Sequence, residues 1–175
     1  MTKNVQTKSV EFDAKLVNGA VTFSGITRVN VNNSSKGDYH FITFILDDDT
    51  TGKDLIFRPI SNNLADSPFW IQPIANGCPQ AAASMPGVVE PMFVSPNGKE
   101  LTVIDYNSNP EELRFALRLV ERANPASGHD YDPIMNNQNG GRLEGSADYA
   151  AIATIGLGVA AIAAILYVTM YGGMS

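Results

Sequence analysis

Residues 149–175 of this 175-residue chain read YAAIATIGLGVAAIAAILYVTMYGGMS and carry no charged side chain. The uninterrupted apolar part, residues 149–171, would make a helix about 34 Å long at about 1.5 Å rise per residue, enough to cross a bilayer core of about 30 Å with modest tilt. A buried helix of a water-soluble core rarely runs so long without a polar face. The stretch therefore predicts one C-terminal transmembrane helix, with Tyr149 at one end and Tyr167 and Tyr171 at the other, where amphipathic rings settle among the headgroups. Gly156, Ala160 and Ala164 recur every fourth residue and form one smooth stripe, and Thr154 and Gly158 make a second small pair beside it. Small residues let helix backbones approach closely in lipid, so other transmembrane subunits, or a second copy of the chain, are the expected neighbours. Asp, Glu, Lys, Arg and His are all missing from the span, which removes the usual marker of an ion path.

The remaining organisation follows from this anchor. All charged residues precede Tyr149, with 12 basic against 18 acidic, so the part outside the membrane carries the whole formal charge of −6. That sign is wrong for a nucleic-acid binder and unhelpful for docking on anionic lipid. The single cysteine, Cys78, has no partner within the chain for a disulfide. The first ten residues, MTKNVQTKSV, lack the apolar core of a secretory signal. The expectation is a single-pass protein held by its C-terminal end. Arg142 before the span leans the rest toward the cytoplasm.

Residues 1–133 read as one β domain. Asn18-Gly19 between apolar runs is a strong hairpin signal. Residues 21–31 alternate well enough for one long strand with a bulge at Gly25. Residues 32–37, NNSSKG, form a loop by composition, and residues 39–46, YHFITFIL, a strand. The turn DDDTTGK leads to a returning strand over 54–60. Residues 61–91 hold prolines at intervals that forbid a long helix or a central strand. Within this excursion Phe69, Trp70 and Ile71 read as a core plug, and the excursion as a whole as the surface that meets a partner. Strands follow at 92–94 and 101–105, joined by the turn Ser95-Pro96-Asn97-Gly98.

Residues 109–112, NPEE, resemble a helix start, yet Leu113, Phe115, Leu117 and Leu119 alternate with period two, and strand is the better choice. Residues 124–132 lack a regular pattern. Residues 134–148 read as a polar, Gly- and Asn-rich tether, residues 149–171 as the span, and residues 172–175 as a short tail. Many strands joined by tight turns suggest an antiparallel β-sandwich, Ig-like or related, held by Phe12, Phe23, Phe41, Phe44, Phe57 and Phe115.

Candidate chemistry is sparse. Asp47, Asp48, Asp49 and Asp54 bracket a Thr-Thr-Gly turn and could converge on calcium, although not in EF-hand order; a solvated acidic turn is the simpler reading. His129, Asp130 and Asp132 form a second polar cluster, expected to face solvent, and His40 is expected to point out of its sheet. Zinc ligation, a Cys-His nucleophile, a P-loop and a GxSxG elbow all lack their residues. The expected role is non-catalytic, with no cofactor.

The stretches SPNGKELTVIDYN, LRFALRLVE and DYDPIMNNQ, within residues 92–137, resemble the end of small bacterial β proteins of the DP-EP family. The resemblance is carried by Asn97, Gly98, Leu101, Val103, Asp105, Phe115, Leu117, Asp132, Pro133 and Asn136. The glutamate-proline half of the family's motif is absent. The resemblance implies an all-β fold and no activity. The layout, a β domain with a tether and one apolar helix, is also similar to that of accessory subunits of membrane complexes and of membrane proteins in lipid-containing virions. A membrane-tethered module binding calcium or a small ligand is the competing class.

Overall fold

Why the strands lie where they do begins with a ten-residue segment, Glu112–Glu121, in a computed structural model that describes residues 5–31, 38–79, 83–108 and 112–137. Leu113, Phe115, Leu117 and Leu119 are fully buried along one face of this strand. A two-residue period cannot form a helical stripe, so the segment is a strand, as expected. Both of its edges are paired, by four short strands from different parts of the chain.

The described residues contain eleven strands: β1 Val5–Val17, β2 Ala20–Ser24, β3 Arg28–Val31, β4 Tyr39–Asp49, β5 Leu55–Phe57, β6 Phe69–Pro73, β7 Val89–Val94, β8 Glu100–Asp105, β9 Glu112–Glu121, β10 Asn124–Tyr131 and β11 Ile134–Asn137. One sheet runs β2-β1-β4-β8-β7, and the other runs β10-β9-β11-β3 with β5 and β6 also on β9. The fold is therefore mainly β. The sheets are mixed rather than antiparallel throughout, because β1 pairs parallel with β4 and β3 pairs parallel with β11. Parallel neighbours need a crossover between them. Here β3, a strand of the other sheet, lies between β2 and β4 in sequence and carries the chain across.

The crossing explains why residues 21–31 are not one strand. Gly25 sits at φ +107, and a Cβ there would lie 3.0 Å from both the Glu11 carbonyl oxygen and the Phe12 Cα. The chain turns there against β1, leaving one sheet for the other instead of bulging within it. The Asn18-Gly19 hairpin forms as expected, with both residues at positive φ and Val17 paired to Ala20.

The sheets share one apolar core. Phe44 from the first sheet meets Phe115 and Phe69 from the second at centroid distances of 5.2 and 6.2 Å, and Phe12 meets Phe57 at 5.9 Å. Burial of each such ring contributes about 1.5–3 kcal/mol before entropy is counted. Phe23 packs on the rim against Tyr131 at 5.2 Å. Phe41 is also buried, but alternation along β4 puts it on the face opposite Ile42 and Phe44, away from the shared core.

Three further expectations are corrected. Residues 124–131 form a strand, β10, whose side chains are mostly exposed, so no apolar alternation marked it. Residues 134–137 belong to β11 and not to a tether: Met135 is fully buried and pairs with both Leu113 and Val29. The returning strand expected at 54–60 is only Leu55–Phe57, bounded by Asp54 at φ 47 and by Pro59. The loop 32–37, the residues 138–148, the span 149–171 and the tail 172–175 lie outside the described residues. So do the expected site residues on them, namely Tyr149, Thr154, Gly156, Gly158, Ala160, Ala164, Tyr167 and Tyr171. Among the described residues, no helix is long and apolar enough to cross a membrane.

Candidate functional site

Polar side chains gather at the two ends of the sheets, and the ends differ. At one end the turns after β1, β4, β7 and β9 come together. Asp49 accepts hydrogen bonds from the Thr51 hydroxyl at 2.5 Å and amide at 3.2 Å, and from the Leu55 amide at 2.7 Å. Burial alone would raise its carboxyl pKa, but these bonds and Lys99 at 3.4 Å outweigh burial and hold it below the usual value. Asp54 takes Arg122 Nε at 2.6 Å and Lys99 Nζ at 3.1 Å, and these two cations lower its pKa. Arg122 also donates to the Asn97 carbonyl at 2.6 Å. Beside this set, Glu121 accepts Lys53 at 2.5 Å and faces His129 Nε2 at 3.3 Å.

The four aspartates considered for calcium therefore do not converge. Asp47 and Asp48 are exposed, while Asp49 and Asp54 spend their oxygens on this chain's own amides and cations. Cation ligation would need those acceptors freed. The turn 95–98 seals the same end: Gly98 has φ +75, and a Cβ on it would sit 2.7 Å from Ile56 Cβ.

At the opposite end β1 and β4 begin, and β3, β8 and β11 finish. A recess of about 330 Å³ is lined by Gln6, Lys8, Asn30, Val31, His40 and Ile42. Lys8 bridges the sheets there, donating to the Asn30 carbonyl at 3.0 Å. His40 does not point out of the sheet. It shares the inward face of β4 with Ile42 and Phe44 and is 5% exposed. Its Nε2 is buried without a hydrogen-bond partner. Burial lowers its pKa, Asp38 opposes that shift and Lys8 adds to it. Asp105, its cross-strand neighbour on β8, is fully buried.

Phe69, Trp70 and Ile71 are buried as expected of a core plug, and for that reason they are not the partner-facing loop that the sequence also suggested. These residues are 2%, 7% and 1% exposed and form β6, paired through five positions with β9, so they cannot present a surface. Pro68 and Pro73 end this strand on both sides, which an edge strand tolerates. Trp70 lies on the outer face of its sheet. Its indole donates to the Leu64 carbonyl at 2.7 Å, and the Arg118 guanidinium stacks 3.5 Å from the ring centroid. Arg118 in turn donates to the Ala65 and Ser67 carbonyls and meets Asp130 at 3.4 Å. Residues 65–73 of the excursion thus cover β9.

His129 and Asp130 lie on β10 and work as structural partners of Glu121 and Arg118. Asp132 sits between β10 and β11 beside Cys78, and together with burial it raises the thiol's pKa, so Cys78 lacks the lowered pKa of a reactive cysteine. An apolar groove of about 510 Å³ runs between β5 and β7, past Ile56, Pro59, Met92, Phe93 and Val94. Sequence reading did not find it, because its walls come from strands of different sheets. The buried state of His40 was missed too, although the even-numbered alternation His40, Ile42, Phe44 was readable.

Of the residues that carry the DP-EP resemblance, Leu101, Val103, Phe115 and Leu117 are core, and Asn97 and Gly98 form the turn before β8. Pro133 offers its carbonyl to the Phe115 amide at 3.3 Å. No protein-family model matches the chain, and no curated protein is significantly similar to it.

Proposed function

We propose that this chain is a non-catalytic, membrane-anchored assembly protein: a β-sandwich, held through residues 138–148 to a transmembrane helix at 149–171, acting as an accessory subunit of a larger membrane complex. One observation carries the reading. A 23-residue uncharged segment with small residues at Gly156, Ala160 and Ala164 follows closely on a β unit. The β unit supports it in a second way, since Asp49, Asp54, Glu121 and Arg118 hold partners within the chain and serve architecture. That use of Asp49 and Asp54 weighs against the calcium-module reading. The DP-EP likeness is compatible with an all-β partner-binding unit.

The test is extraction of the native protein in mild detergent, followed by sizing and mass spectrometry of what travels with it. Co-migration with a defined complex is expected, and Gly156→Leu with Ala160→Leu should release the chain from it. A monomer in the wild type, or an unchanged complex in the double variant, overturns the assembly reading.

A further inference from the structure

Strand direction decides which end of the β unit stands nearest the membrane, given the anchoring proposed above. β11 runs parallel to β3, and its last residue, Asn137, pairs with Val31. Val31 lines the recess with Gln6, Lys8 and His40, so the chain leaves the β unit at the end that carries that recess. Between Asn137 and Tyr149 lie only residues 138–148, QNGGRLEGSAD. Fully stretched, these eleven residues reach no more than about 40 Å. The 13 residues of β1 measure about 40 Å from one end of the sheets to the other. Bringing the opposite end to the membrane would thus require the linker to run nearly straight along the whole length of the β unit, at a large entropic cost.

At the exit end Thr7, Lys8 and Ser108 are exposed, Asp38 and Asp105 are buried, and half-exposed Glu112 is held by Arg28. We infer that the β unit stands on the lipid surface with the Gln6–Lys8–His40 end toward the headgroups. The end that carries Asn18-Gly19, Asp54 and Arg122 then faces the aqueous phase, where the partner is met.

The experiment uses the full chain in a Cys78→Ser background, with single cysteines introduced by Ser108→Cys or Thr7→Cys at the exit end and by Asp48→Cys or Ala123→Cys at the other. Each variant is labelled with a fluorophore and reconstituted into phosphatidylcholine–phosphatidylglycerol vesicles that carry a headgroup quencher. Unchanged Trp70 emission marks the variants that keep the fold. The exit-end labels should be quenched at least about threefold more than the remote labels, which stand about 40 Å away along the β unit. Equal or reversed quenching in protein that floats with the vesicles after a carbonate wash overturns the orientation alone. Protein that fails to float overturns the anchoring reading and the orientation with it.

Discussion

The two ends of the β unit handle polar groups in opposite ways. At the end of the turns, Asp49, Asp54, Lys99 and Arg122 are each matched to a partner of complementary charge or to a backbone amide. At the exit end His40 is buried between strands, with Nε2 lacking any partner. Matched groups cost little to keep ionised and lock turns in place, whereas a buried group that can change charge ties stability to pH. The first end is built for rigidity, and the second carries the sensitivity.

Unfolding of the full chain in detergent by urea, followed through its lone tryptophan, Trp70, can break this contrast. The largest effect is expected from Asp49→Ala, about 2–4 kcal/mol, because the Leu55 amide and the Thr51 amide and hydroxyl all lose their acceptor, while Lys99 keeps Asp54 and the Leu55 carbonyl. An unchanged urea midpoint would show that the matched end is not held through Asp49. Gly98→Ala should cost about 1–3 kcal/mol, since it combines a left-handed backbone with a contact to Ile56 that is too short. A loss under about 0.5 kcal/mol would mean that the 95–98 turn can yield, against the rigidity argued above.

The pH dependence sharpens the other side. A histidine whose folded pKa lies below its unfolded value of 6.5 binds its proton more readily in the unfolded chain. Its stabilising contribution is complete above about pH 6.5 and declines as the pH drops toward the folded value, by up to about 1.4 kcal/mol per pH unit. Asp49 has the same sign in a lower window, complete above its unfolded value of 3.8 and lost as the pH falls through its folded one. The wild type should therefore weaken as the pH falls below about 6.5, and His40→Gln should flatten that first loss while leaving the more acidic one intact. Parallel curves for the two proteins would remove His40 from the account. The smallest effect belongs to Arg122→Ala, whose half-exposed guanidinium pairs with exposed Asp54. Its midpoint should move far less than that of Asp49→Ala, and 0.5 M salt should move it little further.

The candidate site was legible only in part. Hairpin chemistry at Asn18-Gly19 and the alternation from Leu113 to Leu119 are local signals, and both survive in the fold. β10 and β11 were unreadable because an edge strand with two polar faces has no apolar period, and a four-residue strand is too short to show one. The acids of residues 47–54 suggested a shared cation. Only the approach of Lys99 and Arg122, from turns about fifty and seventy positions later in the chain, revealed what their carboxylates bind.

From residue order alone follow the uncharged segment 149–171, the strand character of β4 and β9 and the acidic balance, because each depends on composition or on spacing between near neighbours. Tertiary structure decided the rest: that Gly25 carries the chain from one sheet to the other, that β1 and β4 lie parallel, that Trp70 is covered, and that His40 faces inward at the end where the chain leaves. Those outcomes depend on contacts between residues far apart in sequence. Such contacts form only when both sheets close over Phe12, Phe44, Phe57 and Phe115, and no local pattern encodes them.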